Sequence, residues 1–370
     1  MLLHVATRKG LFVYALDAAQ PVLTGRHFLG DNVTLSLADP RSGRWYAALD
    51  HGHFGAKLKG SSDHGATWSD LPAPAYPKRP EGAPDEIGAD GRPVPWSLKR
   101  IWALETGGPD QPGRLWCGTI PGGLFRSDDH GATWSLVDSL WNHPDRLKWF
   151  GGGADYPGIH SICVDPRDSR VVRVAVSCGG VWTTRDDGAT WHNTAHGMFA
   201  EFMPPELRGD VNIQDAHRMV QCAGQPDRFW VQHHNGVFRS DDGATTWQHC
   251  PNVPPSGIGF GFAVAVHPRQ GDTAWLIPGI KDERRIPVDG KVVVTRTQDG
   301  GKSWQILRDG LPQHDAYDLT FRHACDIAAD GATLAFGSTT GAWWLSRDGG
   351  DHWLEVTAHL PPIHAVRLVG

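Results

Sequence analysis

Apolar residues in this chain fall in short runs of about five to seven positions, each closed by Gly, Pro or Asp. "VTLSLADP" from Val33, "IHSICVDP" from Ile159 and "FAVAVHP" from Phe262 are runs of this kind ending in a turn. A second set begins with glycine: "GGLFRS" from Gly122, "GGVWTT" from Gly179, "NGVFRS" from Asn235 and "GAWWLS" from Gly341. Apolar spacing of three and four, the mark of an amphipathic helix, is scarce. The pattern predicts strands throughout, in a recurring unit of strand, turn, strand, Gly-containing loop, strand, polar turn and strand.

The polar turn is itself repeated. "SSDHGATW" spans 61–68, "SDDHGATW" 127–134 and "TRDDGATW" 184–191. Three further copies are "SDDGATTW" at 240–247, with its glycine displaced by one place, "TQDGGKSW" at 297–304 and "SRDGGDHW" at 346–353. A Ser or Thr hydroxyl and an Asp carboxylate can satisfy the amides of a tight turn, and glycine supplies the positive φ. Tryptophan then offers a large ring to bury between adjacent units. A spacing of about 50 to 65 residues marks stacked or radial repeats.

These residues resemble the Asp-box, or BNR-repeat, signature S-x-D-x-G-x-T-W. The resemblance runs from 61 to 353 and implies a β-propeller of the group that includes sialidases, xyloglucanases, sortilin-type receptors and a photosystem assembly factor. In that group the boxes are structural turns, so they are not site candidates here. Six units end in a box. A seventh is expected from the two termini: "KGLFVY" in the first residues stands where "GGLFRS" stands elsewhere, and "IHAVRLV" at the end reads as a first strand. The expected fold class is therefore all-β, a seven-bladed propeller closed by pairing the N- and C-terminal strands, with residues 1–370 as one domain.

Charge narrows the partners. Lys plus Arg number 35 against 41 Asp plus Glu, a formal charge of −6, so neither nucleic acid nor a membrane surface is expected as a partner. The six cysteines form no C-x-x-C pair and sit mostly inside apolar runs, which suits free thiols in a reducing compartment. With no membrane-length apolar run and no signal-peptide core at "MLLHVATRKG", a cytoplasmic location is expected.

Candidate chemistry follows from topology. Aligned first strands place Thr34, Lys99 or Arg100, His160, His217, Phe262, His323 and His364 at equivalent positions, expected at one mouth of a central channel. Ends of second strands add His51, His53, His233 and His234. One histidine is ordinarily a structural residue, whereas a convergent set can exchange protons or bind Zn, Mn, Fe or Cu. His160, His217, His233 and His323 are the candidate ligands of a divalent metal. The catalytic candidates are His160, His217, Asp215, Arg100 and Arg322, with Asp215 placed beside His217 in "NIQDAHRMV". Arg218, His53, His234, Trp149 and Tyr156 are the substrate-binding candidates. Loop tryptophans either stack on sugar rings or pin loops down.

Two functions compete. One is a carbohydrate-active or related small-molecule hydrolase or lyase at the His/Asp/Arg-lined mouth, metal-assisted or not. The other is a non-catalytic binding or assembly propeller. A true sialidase is not expected: "RRIP" at 284–287 comes after four boxes rather than before the first, and only five tyrosines are available.

Overall fold

The computed structural model describes residues 1–79, 81–82, 84–152 and 154–370. Among them, the strands form seven four-stranded antiparallel sheets, the blades of a seven-bladed β-propeller. Strands alternate in direction because each link is a short turn.

The chain divides into two compact units. One holds residues 1–36, 217–243 and 247–370, with four blades. Its first blade pairs the termini: β1 (Leu2–Thr7) lies between β2 (Gly10–Ala15) and the last strand, β28 (Ile363–Val369), with β3 (Val22–His27) outermost. Leu2 pairs with Val369 and Val5 with Val366, so the expected closure through the termini is borne out. The other three are β16–β19 (Ala216–Gln221, Phe229–His233, Gly236–Ser240, Gln248–Cys250), β20–β23 (Gly261–Val266, Ala274–Pro278, Val294–Thr297, Gln305–Leu307) and β24–β27 (Cys325–Ile327, Leu334–Gly337, Trp343–Ser346, Leu354–Thr357).

The second unit, residues 37–216 with 244–246, holds three blades. They are β4–β7 (Val33–Ala38, Trp45–Asp50, Ala56–Ser61, Ser69–Leu71), β8–β11 (Arg100–Thr106, Leu115–Ile120, Leu124–Ser127, Ser135–Leu136) and β12–β15 (Ile159–Val164, Val172–Val176, Gly180–Thr184, His192–Asn193). The unit boundaries fall within β4 and after the first residue of β16.

Middle strands read as continuous apolar runs because a blade is covered on both faces by its neighbours. β9, β13, β14, β17, β20 and β21 are buried at every position. Tryptophans from these strands tie blades together: Trp230 Nε1 donates to Gly271 O and Trp275 Nε1 to Gly349 O, each at 2.8 Å in the next blade.

The repeated polar turn forms as its residues dictate. At 61–68, Ser61 Oγ donates to Asp63 Oδ1 (2.7 Å) and accepts from Gly65 N (2.8 Å), while Asp63 takes the amide and hydroxyl of Thr67 at 2.9 and 2.6 Å. Two successive residues are left-handed, His64 at φ 55° and Gly65 at φ 87°. In the displaced copy the pair is Gly243 (φ 74°) and Ala244 (φ 63°), so an alanine carries the strain that glycine relieves elsewhere. Burial of the closing ring is only half fulfilled. Trp191, Trp247 and Trp353 are buried, but Trp68, Trp134 and Trp304 keep a solvent edge. Trp134 and Trp304 instead cap the preceding blade, donating Nε1–H to Pro72 O (3.0 Å) and Pro251 O (3.2 Å).

Candidate functional site

First strands begin alike. Thr34, His160, His217, Phe262 and His364 are each the second residue of their strand, as the alignment predicts. Backbone pairing slips at this point. The β12 ladder passes from Ile159 to Ser161, the β20 ladder from Gly261 to Val264, and the β28 ladder from Ile363 to Ala365. A bulge leaves the skipped residue outside the regular pleat and re-aims its side chain, which is how strand ends present functional groups.

The densest cluster of such groups is on the β16–β19 blade. His217 is 2% exposed. Its Nδ1 lies 2.7 Å from Gly261 O, and a carbonyl can only accept, so Nδ1 carries a proton and donates it. Phe262 stacks on the imidazole at 4.6 Å and 18°, and Phe260 meets it edge-on at 5.8 Å. The guanidinium groups of Arg285 and Arg322 lie over Phe262, 5.3 and 5.1 Å from its centroid. Gly261 permits this approach: a Cβ there would sit 2.9 Å from Ile277 O.

His234 completes the blade's contribution. His233 and His234 are consecutive, so the strand pleat sends them opposite ways. His233, the last residue of β17, is fully buried; its Nδ1 accepts from Asn235 N at 3.0 Å and its ring abuts Phe238. His234, in the two-residue link to β18, faces His217 with ring centroids 5.5 Å apart. Asp215, the buried carboxylate that leads the chain into β16, belongs to the other compact unit. Glu283 is within electrostatic reach of His234. Its carboxyl is held below the usual range by a backbone amide and Lys281, with a smaller effect of His234. Asp215 is also shaped from its other side, where a Cβ on Gly152 would come within 3.0 Å of its Oδ1 and 2.6 Å of Cys178 Sγ.

The remaining sequence candidates fall elsewhere. His160 is fully buried, its Nδ1 2.9 Å from Ser161 Oγ and its ring edge-on to Trp102 at 5.4 Å. Arg100 pairs with Asp50 at 3.1 Å. His53 is exposed in a one-turn helix, Gly52–Phe54, against the 75% exposed Phe54. Arg218 is within electrostatic reach of Cys325 and Asp326. His323 bridges to Ala365 and its carbonyl accepts from Val366 N at 2.9 Å. Of the expected metal quartet, His217 is faced by His234 rather than by its neighbour His233.

Trp149 and Tyr156 do come together. With Trp141, Arg146, Arg92 and Pro121 they line a narrow cleft. Arg146 lies over Trp141 at 3.9 Å and binds Glu86 at 2.6 Å, and Glu86 also accepts from Trp96 Nε1 at 3.2 Å. Trp149 is 2% exposed and edge-on to Trp182 at 5.4 Å. Its ring faces are used by protein, so it pins the loop; half-buried Tyr156 retains an accessible surface.

Arg285 is absent from the sequence candidates: "RRIP" lies in an insertion between β21 and β22, and only folding carries Arg285 over Phe262. The dipeptide His233–His234 at a hairpin tip was the available signal for one imidazole facing outward.

No protein-family model matches the chain. It is 25% identical over 315 residues to an oligoxyloglucan-reducing end-specific xyloglucanase of Emericella nidulans, covering 79% of this chain and 35% of that protein. The chain thus spans about a third of the length of that curated relative. A solved GH74 xyloglucanase from Xanthomonas campestris superposes with TM-score 0.57 at 20% identity, over 88% of this chain and 45% of that one. A structure of YCF48 bound to D1 peptide superposes with TM-score 0.51 at 15% identity, over 84% of this chain and 78% of that one. At these identities both structural likenesses are likenesses of fold.

Proposed function

We propose that the protein is a carbohydrate-active hydrolase whose reactive residues are His217, His234 and Asp215. The observation that carries this reading is the facing of two imidazoles, ring centroids 5.5 Å apart, with Nδ1 of His217 donating to Gly261 O at 2.7 Å. His217 serves as proton acceptor and Asp215, two residues before it in the chain, as the acidic partner, the division of labour that general acid–base catalysis requires. Arg322 and Arg285, stacked on Phe262 beside His217, supply donors for substrate oxygens. Similarity to xyloglucanases supports a glycan as the substrate. Its six free thiols suit a reducing compartment.

The test is a turnover screen over xyloglucan oligosaccharides, uronic-acid oligosaccharides and sugar lactones. Activity on any of these should fall by about 100-fold or more in His217→Ala and in Asp215→Asn, with melting temperature retained. Full activity in both variants overturns the assignment of the centre. A second reading, a binding or assembly propeller, draws support from the greater share of the YCF48 chain that this one spans, 78% against 45% for the xyloglucanase. Absence of turnover on the whole panel, with saturable binding of a peptide by the same protein, would favour it.

A further inference from the structure

We infer that the cleft beneath the hairpin of residues 86–94 is a binding site for a neutral hexopyranose, which enters it with its hydroxymethyl arm. The site lies wholly within the compact unit of residues 37–216, apart from His217 and His234. The inference rests on the proposed glycan reading only for the class of ligand.

Three observations support it. First, the cleft holds unmatched donors. Four tryptophans gather here, Trp96 edge-on to Trp141 and Trp149 edge-on to Trp182. The outer two are matched: Trp96 Nε1 donates to Glu86 at 3.2 Å and Trp182 Nε1 to Gly179 O at 2.8 Å. Trp141 and Trp149, which line the cleft, are each 2% exposed, and their Nε1 atoms have no acceptor among the described residues. An indole N–H can only donate, and burying it unmatched is costly, so its complement is an oxygen acceptor.

Second, charge selects a neutral oxygen over a carboxylate. Arg146, which also lines the cleft, is already paired with Glu86 at 2.6 Å. Arg92 lies 4.0 Å from Asp90 and 3.9 Å from Asp155, so two carboxylates stand around one guanidinium. A further anion would meet net negative charge. A hydroxyl instead accepts from an indole and donates its own proton to an acceptor such as Asp90.

Third, shape admits an arm rather than a ring. The cleft is narrow, with Val94 and Pro121 beside the two indoles. Gly122 makes the approach of Trp149 possible, since a Cβ there would sit 3.0 Å from Trp149 Cζ3. Half-buried Tyr156 and Pro157 keep surface open to solvent and offer an apolar platform for the C–H face of a sugar ring. The roof is a hairpin closed on itself by Gly88 N to Arg92 O at 2.9 Å and Val94 N to Glu86 O at 2.8 Å. Glu86 ties its base to the blade through Arg146, while Asp90, Gly91 and Arg92 at its tip are exposed. A small rise of that tip brings the ligand oxygen to the buried N–H groups.

The experiment uses the full chain carrying nitrogen-15-labelled tryptophan and follows the indole N–H resonances by NMR. The titrants are methyl β-glucopyranoside, methyl β-xylopyranoside, which lacks the hydroxymethyl arm, and methyl β-glucuronoside, which carries a carboxylate in its place. Trp141→Phe and Trp149→Phe assign the two resonances. Both are expected to shift along one saturable curve with the glucoside, and the xyloside and glucuronoside to bind at least about tenfold more weakly. Tyr156→Ala should weaken glucoside binding about tenfold, while Phe54→Ala, an exposed aromatic outside the cleft, should bind as the parent does. Tyr156→Ala keeps the test valid if a tryptophan variant fails to fold, because Tyr156 is half-buried in a loop. Unshifted resonances, equal affinity for glucoside and xyloside, or preference for the glucuronoside overturns the inference. Glycan turnover is measured separately: turnover with unshifted resonances sinks this site and leaves the hydrolase, whereas saturable glucoside binding without turnover on any glycan sinks the hydrolase and leaves this site.

Discussion

His4 links the closure of the first blade to pH. It lies in β1, paired with Val13 on one side and Arg367 of the C-terminal strand on the other, and it is fully buried with Nδ1 3.3 Å from Ser36 Oγ. Burial lowers its pKa from 6.5 to about 3, and the positive charges of His27 and Arg367 act in the same direction. The native state therefore holds the neutral ring, while the unfolded chain takes up a proton below pH 6.5. The associated stability is complete above about pH 6.5 and is lost as pH falls toward about 3. At pH 5 the loss from this one group amounts to about 2 kcal/mol. The assay is denaturant unfolding of parent and His4→Gln at pH 7, 6 and 5. The variant is expected to start less stable at pH 7, since a shaped polar contact is altered, but to fall by about 2 kcal/mol less between pH 7 and 5. Parallel pH curves for the two proteins would refute the reasoning, as would a His4 ring resonance titrating near its ordinary value.

Other expectations concern the turns and the core. Ser127→Ala removes the hydroxyl that accepts from Gly131 N at 2.8 Å and donates to Asp129, leaving a buried amide unmatched; a loss of about 1–3 kcal/mol is expected in the unfolding free energy. Ala244→Gly, which relieves a left-handed alanine in the displaced turn, should raise stability by about 0.5–1 kcal/mol, measurable as a higher denaturant midpoint. Gly118→Ala would put a Cβ 2.5 Å from the Ile159 carbonyl of the next blade, a backbone clash that should cost more than about 2 kcal/mol and lower the melting temperature clearly. Thiol titration of native protein should find at most the partly exposed Cys163 reactive, and all six thiols once unfolded.

Much of the architecture was legible because its causes are local. Strand length, the Gly-started third strands and the Ser-Asp-Gly turn each depend on residues within about eight positions of one another, so a linear reading captures them. Even the terminal blade was visible, since a unit missing its first strand at one end and a lone strand at the other leave little choice. The aligned position is the second strand residue in five of the seven first strands, whereas Arg100 opens β8 and His323 precedes β24.

What only the tertiary structure decided is which side chains meet. His233 and His234 are indistinguishable in the sequence, and the pleat alone sends one into the blade and the other toward His217. Arg285 reaches Phe262 because an insertion folds back, and Arg322 reaches the same ring from another blade. The reason is physical: a strand's sequence sets its alternation, but register, bulges and the packing of the next blade set where each alternate residue points. The sequence by itself determined a repeating β unit and a supply of imidazoles; folding chose which of them, His217 and His234, face each other.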